Sequence, residues 1–178
     1  MSSPPIEEFF GTYKRLRDCL KVTKRAINEG NPRLLDNTAF VGESQAEAAD
    51  VIDRATQAVD DLAIVALWAW FERYLVEFTQ ARATAIASSR PAEFARGLQA
   101  RVTQAIERWR SDELLDLFKT ITDANQIGTA KQVKDYRDWI AHRNPNRLPP
   151  AQTEPTNAYL LLLAIIDAVE QVSPAGHP

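Results

Sequence analysis

The stretch Tyr136-Arg137-Asp138-Trp139-Ile140-Ala141-His142-Arg143-Asn144-Pro145 gathers residue types suited to phosphate chemistry at the end of one predicted helix. Pro145 stops that helix, so His142, one of only two histidines in the chain, falls in its last turn. There the negative end of the helix dipole favours the cationic imidazole, and Arg137 and Arg143 add fixed positive charge beside it. Asp138 and His142 stand four apart and share a helix face, so the carboxylate can orient the ring. Arg137 lies about 140° away from His142 around an ideal helix. One copy of the helix therefore makes an imperfect site, whereas two copies about a two-fold axis would place two His and two Arg around one cleft. The plainer alternative is that His142 caps the helix by bonding its free carbonyls.

Around this motif, Lys131, Lys134, Arg137, Arg143 and Arg147 face only Asp135 and Asp138, so positive charge gathers locally in a chain of net charge -3. Outside it, the polar candidate is Glu72, a carboxylate in an apolar segment that is costly unless paired. Arg137 is the partner expected from the motif, with Arg73 a structural alternative. Trp68, Trp70, Trp109 and Trp139 can stack on bases, although packing is the commoner fate of tryptophan, and Trp139 is expected against the central helix. A protein metal site is a poor fit: His142 has no second His or Cys at ligand spacing, and His177 sits in a tail expected to fray. No phosphate-binding loop, nucleophile elbow or kinase signature is present.

The elements that position these residues read as all-helical. The 178 residues, 45% hydrophobic, suffice for one domain, taken as 1–178. A charged content of 25% with a net charge of -3 argues against broad coating of nucleic acid, so any such contact is local. The lone Cys19 cannot form an internal disulfide, lies among apolar positions of the first helix, and suits the cytoplasm. Met1 to Glu8 lacks the pattern of a signal peptide. The apolar runs Leu62–Phe71 and Ala158–Ile166 are shorter than the roughly 20 residues that span a bilayer.

Periodicity predicts an antiparallel helical bundle of about five helices with a long central second helix. The first helix runs from about Ile6 to Asn28, closed by Gly30 and Pro32. Ser44 and Glu47 form a capping box for the second, which meets no proline or glycine until Pro91. Its first half carries Glu43, Glu47, Asp50, Asp53, Asp60 and Asp61 against Arg54 alone, a pattern of a solvated face or of one that binds a basic partner. From Leu62 to Phe71 every position is apolar, so neighbours or a second subunit must cover several sides. A third helical region reaches Trp109, and Ser111 with Glu113 opens a stretch to about Thr122. Asp123–Gly128 reads as a turn, Thr129–Arg143 as the motif helix, and Pro155–Val172 as the last helix.

Arg137-Asp-Trp-Ile-Ala-His142, at a proline-stopped helix end, resembles the signature of the HEPN superfamily, and in particular its RiboL-PSP/MAE-type, toxin-like ribonuclease domains. The resemblance extends to order: a long helix with the aromatic-acidic segment Trp68-Ala-Trp-Phe-Glu-Arg-Tyr-Leu75 precedes the motif helix, and a short apolar helix follows. It implies a metal-independent endoribonuclease without a cofactor, acting as a homodimer with the active site at the interface and often restrained by an antitoxin protein. Carried onto this sequence, His142 transfers protons during attack of the RNA 2'-hydroxyl, Arg137 stabilises the phosphorane, and Asp138 orients the pair. Asn144, Arg143 and Lys134 would bind substrate, and Glu72 would support Arg137. Some members carry a tyrosine two residues after the histidine that a nucleotidyltransferase modifies. Asn144 stands there in this chain, which argues against that control.

Two other readings remain open on sequence. A non-catalytic HEPN-like module could bind RNA or protein and keep the motif for dimer packing. A helical adaptor could offer the acidic helix to a basic partner, in which case charge reversal at Asp60 and Asp61 would disrupt capture and His142→Ala would not.

Overall fold

The computed structural model of the protein describes residues 5–30, 33, 35–142, 148 and 150–172. Among them the long elements are all helices: α1 (Pro5–Asn28), α2 (Gln45–Ala83), α3 (Ala92–Ile106), α4 (Ser111–Phe118), α5 (Ala124–His142) and α6 (Pro155–Gln171). The all-helical expectation with a long second helix therefore holds, with six helices in place of about five. The stretch expected from Ser111 is α4, which ends at Phe118 and is set apart from α3 because Arg108 and Trp109 donate back to the carbonyls of Ala105 and Ile106 and tighten the end of α3. None of the described helices is long and apolar enough to cross a membrane.

Local chemistry explains where the boundaries fall. Ser44 and Glu47 make the expected capping box: the Ser44 N–H donates to Glu47 Oε2 at 2.9 Å and the Glu47 N–H to Ser44 Oγ at 3.3 Å. α2 gives way to a 3-10 turn at Thr84–Ser88, well before Pro91. In this segment the Thr84 hydroxyl already bonds the Ala81 carbonyl, the competition by which Ser and Thr weaken helices. α5 starts at Ala124, not Thr129, because Asp123 caps it: its carboxylate accepts the Asn125 N–H at 2.8 Å. That cap offsets the cost of about 1 kcal/mol for placing Gly128 inside a helix. Gly30 closes α1 with a left-handed φ of 68°, the conformation glycine adopts without strain.

The chain divides into two compact units, Met1–Leu67 and Trp68–Pro178, and α2 runs through both. In the first, α1 packs on the opening half of α2 through a cluster of Ile27, Ala48 and Ile52, bordered by Leu20, Leu35 and Phe40. The acidic run of α2 is not simply a solvated face. Asp60 accepts the Tyr13 hydroxyl at 2.8 Å and pairs with Arg17 at 3.2 Å, and Asp53 binds Lys24. Asp61 is buried and accepts the Gln57 amide at 2.9 Å. Cys19 is exposed and so lies off the apolar stripe where it was expected.

In the second unit, the closing half of α2 contributes Trp68, Phe71 and Leu75 to the core, all nearly inaccessible. α5 packs on α4 and α6, and Phe78 of α2 meets Phe118 of α4 with ring centroids 5.9 Å apart. Gln80 of α2 reaches the Thr103 carbonyl of α3 at 3.2 Å. The all-apolar run is only partly covered: in this unit Ala69 and Trp70 stay exposed.

Candidate functional site

α5 carries the motif, and its period sorts the motif residues onto two faces. Ile127, Ala130, Val133, Tyr136 and Ile140 are buried and fix the helix against its neighbours. That packing turns Arg137 to one side of the helix and His142 to another, as the 140° between them requires.

Arg137 faces α2. Its Nη2 lies 3.2 Å from Glu72 Oε2, and its guanidinium carbon sits 5.7 Å from the centre of the Trp68 ring. Glu72 is held on its other oxygen by the Ser111 hydroxyl, so one carboxylate ties α2 to the starts of α4 and the end of α5. With side chains 23% and 32% exposed, the Arg137–Glu72 pair is largely shielded from solvent, which strengthens it relative to a surface pair. Arg137 Nη1 also donates to Asp138 Oδ1 at 2.7 Å.

Asp138 bridges two cations rather than orienting the histidine. Its second oxygen lies 3.4 Å from Lys134 Nζ, and among the described residues no hydrogen bond or ion pair joins it to His142. The four-residue spacing does bring Asp138 and His142 to one groove, but the carboxylate is held by Arg137 and Lys134. Lys134 also pairs with Asp112 at 3.2 Å and Asp135 at 3.3 Å. Burial works against its charge, yet these carboxylates outweigh that penalty and raise its pKa above the ordinary lysine value. Lys131 likewise pairs with Asp116, at 2.7 Å, a carboxylate it shares with Lys119. Asp116 is held below the usual carboxylate range by hydrogen bonds from Lys119 and then Lys131. The expected pool of positive charge on α5 is thus countered, among the described residues, by acids of α2 and α4 that sequence distance concealed.

His142 ends α5 and is exposed. It lines a groove of about 690 Å³ together with Arg110, Lys134, Asp135, Asp138, Trp139, Leu148 and Pro150. No described residue bonds its imidazole, so the capping role in which it ties up carbonyls of its own helix is not taken up. Trp139 stacks on Tyr136, with centroids 6.1 Å apart, and forms part of the groove wall, while its indole N–H is buried without a described acceptor.

The structure therefore brings His142, Asp138 and Lys134 to one groove and places Arg137 and Glu72 outside its lining. The substrate-binding candidates Arg143 and Asn144 lie outside the described residues. Sequence reading missed Arg110, which reaches the groove from the residue before α4 and forms no ion pair with a described residue. Its one local signal is the cap that follows, in which the Arg110 N–H donates to Glu113 Oε2 at 3.1 Å. Compared with known proteins, the chain matches no family model, no curated protein and no solved structure.

Proposed function

We propose that the chain is a metal-independent endoribonuclease of HEPN type, cytoplasmic and active as a homodimer, in which His142 moves the proton as an RNA 2'-hydroxyl attacks the adjacent phosphodiester. The observation that carries this reading is the His142 imidazole, exposed at the α5 end, free of described partners, and set in a groove spacious enough for a nucleotide. An imidazole titrates near working pH, so it can accept the 2'-proton or deliver one to the departing 5'-oxygen. Two copies in a dimer divide those tasks. The products are a 2',3'-cyclic phosphate and a 5'-hydroxyl. Asp138 forms the charged floor beside His142. Arg137 fixes Asp138 and adds positive potential, and direct contact with a phosphate requires its release from Glu72. The exposed Ala69 and Trp70 offer apolar surface for a second copy. A toxin held by an antitoxin protein is the biological setting that goes with this reading.

One observation favours a second reading, a non-catalytic HEPN-like module that binds RNA or protein. The Arg137 guanidinium is engaged by Glu72 and Asp138, as in a structural ion-pair network. Incubation with single-stranded RNA in EDTA separates the two. Wild-type chain is expected to cut, and His142→Ala to lose about 10²-fold or more of the rate, the scale of general acid/base catalysis. Wild type that binds RNA without cutting it establishes the binding module instead.

A further inference from the structure

The groove beside His142 contains one cation that no described carboxylate engages. Arg110 is exposed, belongs to the groove lining and has no carboxylate partner among the described residues. A guanidinium that no carboxylate compensates, set in a groove, suits an anionic ligand with several acceptor oxygens. The other cation of the lining, Lys134, is committed to carboxylates that outnumber it, Asp112, Asp135 and Asp138, and Arg137 is outside the lining, so Arg110 is the guanidinium left to meet an anion.

Building on the ribonuclease reading, we infer that Arg110, rather than Arg137, is the guanidinium that holds the RNA phosphate in the His142 groove. Arg110 presents five donors in a planar fork that matches two phosphate oxygens, and it spends none of them on a protein carboxylate. The division of labour is then physical: Arg137 is a positioning residue that braces Asp138 against α2, and Arg110 is the residue that meets substrate.

The test uses the full-length chain and a fluorescein-labelled single-stranded RNA with 2'-O-methyl riboses, which binds without being cut, read by anisotropy across a salt series. Arg110→Ala keeps the α4 cap, since that bond comes from the backbone N–H, and its fold is verified by circular dichroism. Binding is expected to weaken about tenfold, the effect of one charged hydrogen-bonding contact. The slope of log affinity against log salt should fall by about 0.7, the loss of one phosphate contact on a single strand. Arg110→Lys restores the slope and only part of the affinity, and Arg96→Ala, at an exposed arginine paired with Glu93, changes neither. Cleavage of unmodified RNA is followed in parallel. If wild type binds and cuts while Arg110→Ala does both equally well, the assignment of Arg110 is overturned and the nuclease stands. Arg110-dependent binding without cleavage retains Arg110 and overturns the nuclease. A wild-type chain that binds no RNA overturns both.

Discussion

Glu72 shows how one side chain can decide what its neighbours are free to do. It takes the Ser111 hydroxyl on one oxygen and Arg137 on the other, and Arg137 in turn holds Asp138. Replacing Glu72 with Gln removes the charge while keeping the shape, which leaves a largely shielded guanidinium with Asp138 as its only described carboxylate. The pair is intermediate between a surface bridge and a buried one, so the expected loss is about 1–2 kcal/mol of unfolding free energy. Urea denaturation of Glu72→Gln measures it, and an unchanged midpoint would mean that the pair contributes no net stability. The pairing was legible in sequence because a carboxylate in an apolar run needs a cation. The position of Arg110 was not. Nothing between residues 110 and 142 signals that α4 and α5 pack so that the two side chains share a groove.

At the level of elements, caps were the readable part and charge partners were not. Ser44 with Glu47 set the start of α2 correctly, because both halves of that box lie within four residues. The start of α5 was placed too late, because Gly128 was weighed and the Asp123 cap was not. The acidic run of α2 resembled a solvated face for the same reason that α5 looked basic: Arg17 and Lys24 of α1, and Asp112 and Asp116 of α4, are distant in sequence and adjacent in space. Charge reversal at Asp60 and Asp61 is therefore a poor test of an adaptor, since Asp60 anchors α1 and Asp61 is buried. The packing of α2 near α6 makes a cleaner prediction. Burial first, then the nearby charges of Glu170 and Asp167, push the Tyr74 phenol up to about 12 from its ordinary 10.0. The folded chain thus holds this proton more tightly than the unfolded one. Its contribution to stability is intact below pH 10 and is lost as pH rises from 10 towards 12. Tyr74→Phe cannot ionise, so its thermal midpoint should fall less steeply over that window than that of wild type. Parallel curves for the two proteins would show that Tyr74 ionises as readily in the folded state as in the unfolded one.

For the whole molecule, the question is whether one chain can hold a complete site. Each chain supplies one His142 at a groove, while cyclisation of RNA needs a base for the 2'-hydroxyl and an acid for the 5'-oxygen. A single imidazole can serve both only in successive steps, whereas two copies serve both at once. A two-fold pairing would also give Ala69 and Trp70 the cover that the apolar run of α2 calls for. On the proposed reading, the net charge of -3 adds a constraint, because it leaves any attraction to RNA to local cations such as Arg110. If the site is shared between two copies, mass action ties activity to assembly. Light scattering should give twice the chain mass of 20.0 kDa at high concentration. Cleavage per chain should fall on dilution through the same midpoint at which the scattering mass halves. Trp70→Glu, which places a charge on the exposed apolar side of α2, should move both midpoints together to higher concentration. Cleavage per chain that stays constant while the mass halves would place the complete reaction in one subunit, with His142 acting alone in its own groove.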